Sequence, residues 1–352
     1  MLHSAAPALT RVAMPIPSPP PAVSTERVRL VVCSDIHYAS AAEQARGEHQ
    51  ELAMITNPLL RIALRSFRHW IWLRHPLRQN GLLDEFLRRV PDFDYGIANG
   101  DYAADMAFLG VSDPATFAGA QTCLTRLRAR FGERFRATLG DHELGKLSFF
   151  GHYGGLRLAS WHRAHAELGL EGCWQLDLGC YTLLGVTSTL LALPAFAADM
   201  LETERADWQR LRAEHLTRIR EILTGLAPDR RLILFCHDPT ALPFLGQEPA
   251  MRARWPQLEL TVIGHLHSPL VLWKSRLLSG MPQLTCLGAT VARMSGALRR
   301  AREWRPFRVR LCPSLAGLQV ERGGGWGSLT LDPAGRAPLE WHLHRLRRAA
   351  AA

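Results

Sequence analysis

The chain alternates between short, almost wholly apolar runs and longer segments in which apolar side chains recur at helical spacing. Short apolar runs bounded by polar or turn residues predict buried strands. Such runs occupy residues 28–33, 93–98, 135–138, 231–236 and 258–263. Two further runs, 173–178 and 181–187, flank Gly179-Cys180 and predict a hairpin.

Helical spacing of apolar positions predicts helices between most of these strands. The predicted helices cover residues 41–55, 82–90, 114–131, 161–168 and 206–223. Strands that alternate with helices predict an α/β fold. Toward the C-terminus the pattern shortens and predicts strands at 283–287, 307–312, 317–321 and 327–331, with a turn at Gly323-Gly324-Gly325.

Residues 1–26 are rich in Ala and Pro and lack the basic start and unbroken apolar run of a secretory signal. We expect them to form a disordered tail. No repeat or linker divides the rest, so residues 27–345 are expected to form a single domain that ends in a β segment over 283–345. No stretch reaches the roughly 18 consecutive apolar residues that a membrane-spanning helix needs.

The formal net charge of +10 over 352 residues favours anionic partners, namely phosphate esters, nucleic acid or an anionic membrane. An arginine-rich surface without a function is the equally simple interpretation. The seven cysteines are odd in number and form no Cys-x-x-Cys pair, which is typical of reduced thiols in the cytoplasm.

Residues 58–80 combine five arginines with a cluster of aromatic side chains, and no acidic residue occurs between Glu51 and Asp84. One interpretation is a basic amphipathic helix in which residues 58–78 touch an anionic membrane. The other, which we favour, is a cover helix whose tryptophans pack on the core while its arginines remain solvated.

Five of the predicted strands end in clusters of polar residues, at the position where ligands bind in open α/β sheets. The clusters are Asp35-Ile36-His37, Asn99-Gly100-Asp101, Gly140-Asp141-His142-Glu143, Cys236-His237 and Gly264-His265-Leu266-His267. Side chains two residues apart in an extended segment point the same way, so Asp35 and His37 could hold one cation. Any one cluster alone could equally be a helix cap beside a surface histidine.

Together and in this order, the five clusters resemble the motifs of the calcineurin-like metallophosphoesterase superfamily. That pattern is Asp-x-His, Gly-Asp, Gly-Asn-His-Asp/Glu, His and Gly-His-x-His, and the resemblance extends over residues 27 to about 335. Asp141 is the one departure, since the family usually has Asn there. The resemblance implies a fold of two packed mixed β-sheets flanked by helices, with the site in loops at the sheet ends.

The resemblance also implies the roles of particular residues. One metal ion would be held by Asp35, His37, Asp101 and His267, and the other by Asp101, Asp141, His237 and His265. Asp101 would then bridge the two ions. His142 is implied as the group that donates a hydrogen bond or proton to the leaving oxygen. Glu143 has no assigned role, and Asp105 could orient a site histidine if residues 101–105 were helical.

A mixed set of imidazoles and carboxylates suits Mn, Fe or Zn, and the sequence does not choose among them. Two such ions would share a bridging hydroxide that attacks phosphorus in line. We therefore expect a metal-dependent hydrolase, a phosphatase or phosphodiesterase acting on a phosphomonoester, phosphodiester or pyrophosphate. The alternative is a non-catalytic metal-binding scaffold of the same fold. Nucleic acid is not favoured as substrate, because no separate basic capping domain is present.

Overall fold

The computed structural model describes residues 27–47, 52, 55, 57–148, 153–286, 289–321 and 323–347. The tail expected at residues 1–26 lies outside this part of the chain. Ten strands form two five-stranded mixed sheets that are flanked by helices, so the predicted fold class is confirmed. In the described residues, no helix combines the length and the apolar character needed to cross a membrane.

The first sheet has the order β10-β9-β1-β2-β3. Its strands are β1 (Val28–Cys33), β2 (Tyr95–Asn99), β3 (Phe135–Thr138), β9 (Gly323–Leu331) and β10 (Glu340–Arg347). The pairs β1–β2 and β2–β3 are parallel, whereas β9 is antiparallel to both β1 and β10. The parallel strands β1, β2 and β3 therefore end at one edge of the sheet.

The second sheet has the order β4-β5-β6-β7-β8. Its strands are β4 (Cys173–Leu178), β5 (Tyr181–Val186), β6 (Arg231–Cys236), β7 (Leu258–Ile263) and β8 (Val309–Leu311). The expected hairpin of β4 and β5 is antiparallel, and the pairs from β5 to β8 are parallel. In this sheet too, the parallel strands end at a common edge.

Strand β1 is apolar at consecutive positions because both of its faces are covered. Leu30 and Val32 belong to an apolar cluster between the sheets, together with side chains such as Phe235. Val31 and Cys33 point the other way, into the larger cluster that the helices cover. The indole of Trp174 links the two sheets by donating a hydrogen bond to Thr138 Oγ1 over 3.2 Å.

Helices fill the connections between strands, and their described bounds agree closely with the helical spacing of the sequence. They are α1 (Ala41–Arg46), α2 (Pro58–Trp70), α3 (Gly81–Arg89), α4 (Pro114–Phe131), α5 (Asp141–Leu144), α6 (Leu158–Ala166), α7 (Ser188–Leu191), α8 (Arg205–Gly225), α9 (Leu242–Leu245), α10 (Pro249–Ala253), α11 (Pro269–Leu277) and α12 (Ala289–Arg300). The helix expected over 41–55 ends at Arg46, because Gly47 caps it with a positive φ of 85°, and several later residues of that range lie outside the described part.

The C-terminal segment differs from the expected run of strands. Residues 283–286 form no strand, and helix α12 follows within the expected β segment. Residues 317–321 contain only an isolated bridge from Leu318 to Gly323. The glycines expected to form a turn, Gly323 to Gly325, begin strand β9 instead. A Cβ at Gly324 would overlap the carbonyl oxygen of Ser314, so only glycine fits there. Here glycine permits close approach of two backbones rather than a turn.

Candidate metal centre

The predicted site residues come together where the parallel strands of both sheets end. Asp35 and His37 follow β1, Asp101 follows β2, and Asp141 lies three residues beyond β3 within the short helix α5. In the second sheet, His237 follows β6, and His265 and His267 follow β7. The chain crosses between elements of both sheets, so the site residues span more than 200 positions of sequence yet share one location.

Two groups of side chains lie close enough to hold a metal ion each. Ligand atoms within each group are within 4.8 Å of one another. One group contains Asp35, His37 and His267, and the other contains Asp101, Asp141, His237 and His265. A third combination joins His37, Asp101 and His142. Asp101 thus neighbours both groups, as the bridging role implied by the resemblance requires.

In the first group the two imidazoles face one another. His37 Nε2 lies 3.3 Å from His267 Nε2, and His267 Nε2 lies 3.4 Å from Asp35 Oδ1. His37 Nε2 is also 3.9 Å from Asp101 Oδ2. At most one of two facing nitrogens carries a hydrogen in a direct hydrogen bond between neutral rings. A cation near these atoms would instead use the lone pairs of both.

In the second group, His237 is completely buried between two carboxylates. Its Nε2 lies 3.2 Å from Asp101 Oδ2 and 3.2 Å from Asp141 Oδ1, yet neither contact has the direction of a hydrogen bond. Its Nδ1 is 2.6 Å from the carbonyl oxygen of Asn99 and donates to it. His265 Nδ1 completes the group, 3.0 Å from Asp141 Oδ1.

Five of the seven candidate ligands have a left-handed backbone, with φ of 52° at Asp35, 51° at His37, 59° at Asp101, 60° at His265 and 59° at His267. Residues other than glycine seldom adopt this conformation, and each instance costs of order 1–3 kcal/mol. The strain occurs just after strands end, where it turns the side chains into the site. Such concentration of unfavourable φ angles is typical of functional sites.

Two glycines leave space that the carboxylates occupy. A Cβ at Gly140 would overlap Asp101 Oδ1, and one at Gly264 would overlap Ser34 Oγ and approach Asp35 Oδ2 to 2.7 Å. The glycines in the motifs Gly140-Asp141 and Gly264-His265 are therefore required by close approach of the neighbouring site loop. Gly140 itself has an extended backbone, so its role is spatial rather than conformational.

Glu143, to which the sequence assigned no role, joins two of the site loops. Its Oε2 accepts the N–H groups of Gly140 and Asp101 at 3.0 Å each, and its Oε1 accepts that of Tyr102 at 2.7 Å. The carboxyl is fully buried. Burial, followed by the charge of Asp101, raises the pKa of Glu143 to about 8. Glu143 thus positions Asp101 relative to the Gly140 loop without reaching the ligand atoms.

His142 has its two ring nitrogens in different surroundings. Nδ1 lies 2.8 Å from the carbonyl oxygen of Ala104, which requires a hydrogen on Nδ1. Nε2 contacts the ammonium group of Lys146 and lies 3.7 Å from Asp101 Oδ2. Burial, with a smaller contribution from Lys146, lowers the pKa of His142 to about 3 despite the opposing charge of Asp101. The imidazole is therefore neutral in this arrangement and accepts at Nε2.

The carboxylates of Asp101 and Asp141 remain ionised although they are buried, whereas burial raises the pKa of Asp35. Burial opposes ionisation of Asp141, but Lys146 and then His265 hold the pKa of its carboxyl well below the usual range. Burial and Asp141 likewise oppose ionisation of Asp101, but His142 and His237 lower the pKa of this carboxyl. Anionic oxygens and unprotonated imidazole nitrogens are the atoms that bind divalent cations.

These donors fit a metal ion by their chemistry as well as by their spacing. His237 Nε2 and His267 Nδ1 are buried nitrogens without a hydrogen-bond partner among the described residues. A buried polar atom without a partner reduces the stability of the fold, and an ion bound by His237 Nε2 would remove that cost. The two buried Asp/His groups could therefore hold metal ions.

The structure adds two site neighbours that the sequence did not single out. The Trp72 ring packs 4.7 Å from the His267 ring, and Asp238 Oδ2 lies 3.9 Å from His265 Nε2. Asp238 directly follows His237, which is the signal that could have identified it. The role expected for Asp105 is wrong, because its Oδ1 accepts the N–H groups of Leu109 and Gly110, and it makes no hydrogen bond to a histidine in the described part of the chain.

No protein-family profile matches the chain, and no curated protein is similar to it in sequence. Among solved structures, the phosphopantetheinyl hydrolase of Mycobacterium tuberculosis is 15% identical, with a TM-score of 0.35 over 70% of this chain and 85% of that one. A predicted phosphoesterase of Streptococcus pneumoniae is 9% identical, with a TM-score of 0.26 over 91% of this chain and 100% of that one. Both likenesses are distant in shape and sequence.

Proposed function

We propose that the chain is a metal-dependent phosphoester hydrolase of the calcineurin-like type. One observation carries the proposal: two buried groups of aspartates and histidines adjoin one another, with Asp101 next to both. A shared carboxylate is the usual arrangement for holding two cations about 3.5–4 Å apart. Burial lowers the pKa of His37 and His267, so these two imidazoles are unprotonated and offer lone pairs to a cation.

In this proposal Asp35, His37, Asp101 and His267 hold one ion, and Asp101, Asp141, His237 and His265 hold the other. Two bound ions would supply the positive charge that acidifies a water molecule and neutralises phosphoryl oxygens. Asn99 and Ala103 contribute carbonyl oxygens, 2.6 Å from His237 Nδ1 and 3.4 Å from His37 Nδ1, and these fix the orientation of both rings.

His142 is the proposed proton donor to the leaving oxygen. Because its Nδ1 donates to Ala104, it can donate through Nε2 only as the imidazolium. Asp101 Oδ2 at 3.7 Å favours that charged form, and an anionic phosphoester beside Nε2 would favour it further. The ammonium group of Lys146 opposes it, so the Lys146 contact must open for His142 to become protonated.

The proposal is tested by metal content and turnover of the full chain. We expect bound Mn, Fe or Zn by elemental analysis and metal-dependent hydrolysis of 4-nitrophenyl phosphate or bis(4-nitrophenyl) phosphate. Asp101→Asn should lose at least one metal per chain and several orders of magnitude in rate. Asp177→Asn, at a surface position in β4, is the matched control. Two metals and near-normal turnover in Asp101→Asn would disprove the shared ligand.

The same measurements separate the enzyme from a scaffold. Metal bound at the proposed residues without turnover of any phosphomonoester, phosphodiester or pyrophosphate would favour the non-catalytic scaffold. No bound metal, with the protein folded, would contradict both functions.

A further inference from the structure

Exposed apolar side chains are concentrated in two segments of the chain. Of the fifteen large apolar side chains that are exposed among the described residues, twelve lie within 59–71 or 270–294. They are Leu59, Leu60, Ile62, Phe67, Trp70, Ile71, Leu270, Trp273, Leu277, Leu278, Leu284 and Met294. Apolar residues scattered singly over a surface need no explanation, but a concentration of this kind marks an interaction surface.

Helix α2 presents the first segment almost entirely to solvent. None of its thirteen residues is buried, and Trp70 is 71% exposed. The packed cover helix that the sequence favoured is therefore wrong for Trp70, although Trp72 does pack beside His267. A helix of this length is marginal in water without burial of its apolar face. The described residues leave that face uncovered.

One end of each segment lies near His267 of the candidate metal centre. The N–H group of Val320 donates to the carbonyl oxygen of Ile71 over 3.4 Å, and that of Gln319 donates to Trp72 over 2.5 Å. Trp72 packs on His267, and α11 begins at Pro269, two residues beyond this histidine. The C-terminal end of α2 and the N-terminal end of α11 thus adjoin His267. We call α2, α11 and their exposed apolar residues the apolar face.

The charged residues around the apolar face are all basic, which indicates an anionic partner. Residues 52–83 contain five arginines and no carboxylate, and residues 260–302 contain six lysines or arginines and no carboxylate. Arg65 and Arg74 are exposed beside the apolar residues of the first segment, and Lys274 and Arg276 are exposed on α11. Apolar side chains combined with cations alone match the boundary between acyl chains and anionic headgroups. Two copies of this face would instead bring like charges together.

We propose that the apolar face is a docking surface for an anionic lipid bilayer, which places the metal centre beside the membrane. Tryptophans and leucines enter the headgroup boundary, and the arginines and Lys274 attract anionic headgroups. The proposal does not require the metal centre to be catalytic. A phosphoester held at the lipid surface would, however, be presented directly to the site if the proposed function is correct.

The test is co-sedimentation of the full chain with vesicles of phosphatidylcholine and phosphatidylglycerol in equal parts, compared with phosphatidylcholine alone. We expect at least about tenfold stronger binding to the anionic vesicles, and release as salt is raised toward about 0.5 M, because salt screens surface charge. Chelator-treated protein should bind equally well. This result separates membrane docking from any failure of metal binding or turnover.

Two pairs of substitutions localise the surface. Trp70→Ser with Ile71→Ser should weaken binding to anionic vesicles at least tenfold, and so should Arg65→Gln with Arg74→Gln. The matched controls are Leu201→Ser and Arg218→Gln, which alter exposed residues outside both segments and should leave binding unchanged. Thermal unfolding establishes that each variant is folded.

Three outcomes would overturn the proposal. They are equal binding to both kinds of vesicle, no binding at low salt, and binding of the folded variants that matches the unaltered chain. A dimer in light scattering that Trp70→Ser with Ile71→Ser dissociates would identify a second copy of the chain as the occupant instead.

Discussion

Lys146 holds its ammonium nitrogen 3.2 Å from Oδ2 of Asp141, the one position at which the chain departs from the calcineurin-like motifs that it resembles. An Asn there would offer a neutral oxygen, whereas Asp offers a charged one. Lys146 supplies the compensating charge, and Asp141 in turn raises the pKa of the lysine against the effect of burial. The pair restores the net charge that an Asn would give.

The use of lysine at this position is selective. Of the 42 basic Lys and Arg residues, only Lys146 and Lys274 are lysines. A compact ammonium group contacts both Asp141 and His142, whereas a planar guanidinium would present its N–H groups in a different, fork-like geometry.

Asp141→Asn should weaken metal binding about 10–100-fold, because Lys146 then repels the ion without compensation. Adding Lys146→Met should recover most of that loss, so the two changes are expected to be strongly non-additive. Chelator competition measures the affinities, and Lys274→Met is the control. Additive effects, or an affinity that Asp141→Asn leaves unchanged, would show that Asp141 is not a ligand.

Asp141→Asn should also retain activity. In this variant the increase of kcat with pH on the alkaline side of the profile should occur at lower pH. An anionic ligand makes the ion a poorer Lewis acid, so its removal should make a nearby water more acidic. The unshielded charge of Lys146 adds to that effect. The pH dependence of kcat for the two proteins measures the shift, and coincident profiles would contradict it.

The sequence predicted the strands that carry the site better than it predicted the surroundings of the site. The runs before Asp35, His237 and His265 are buried on both faces, so local composition reports them directly. The left-handed φ of Asp35 and the Lys146–Asp141 pair depend on contacts between distant loops, and spacing along the chain does not record those. The same limit explains β9, where Gly324 is required by the nearby Ser314 backbone.

Exposure was the property that local pattern predicted least well. The spacing of Arg61, Arg65 and Arg68 shows an amphipathic helix, but amphipathicity does not say whether the protein supplies a partner for the apolar side. Only the structure distinguishes a covered apolar side from an exposed one, since Trp72 packs beside His267 whereas Trp70 is exposed.

Glu143→Gln should destabilise the fold although it is nearly isosteric. Both carboxyl oxygens of Glu143 accept backbone N–H groups. The NH₂ group of Gln would replace one of these oxygens and would face an N–H donor without an acceptor between them. Each buried N–H left without a partner costs about 1–3 kcal/mol. Urea unfolding measures the loss, with Glu85→Gln at a partly exposed position of α3 as control. A free energy of unfolding equal to that of the control would contradict the role of Glu143.

His215 should make the fold acid-sensitive independently of the candidate metal centre. Burial lowers its pKa to about 3, and its Nε2 has no hydrogen-bond partner among the residues that the structure describes. An unfolded histidine has a pKa near 6.5, so below about that pH the unfolded chain binds a proton that the folded chain does not. The stability contributed by neutral His215 is therefore present above about pH 6.5 and is lost progressively as pH falls toward 3.

The expected loss from His215 between pH 7.5 and 5 is about 2 kcal/mol in the free energy of unfolding. His215→Leu should reduce the pH dependence by that amount, whereas His162→Leu, at an exposed position of α6, should not change it. Urea unfolding at both pH values measures the difference. Equal pH dependence in His215→Leu and the unaltered chain would show that His215 does not titrate as described.

The last prediction concerns the proton that the leaving group needs. His142→Ala should retain metal and lower the rate by about 10²–10⁴ for esters with poor leaving groups, because acid catalysis contributes about that much. The loss should shrink for 4-nitrophenyl esters, whose leaving group departs without a proton. Lys146→Met is the informative comparison, because Lys146 contacts Nε2 of the same ring. If Lys146→Met reproduces this dependence on the leaving group and His142→Ala does not, Lys146 is the donor and His142 only positions it. If the loss in His142→Ala is equal for good and poor leaving groups, His142 acts on the ground state rather than on the departing oxygen.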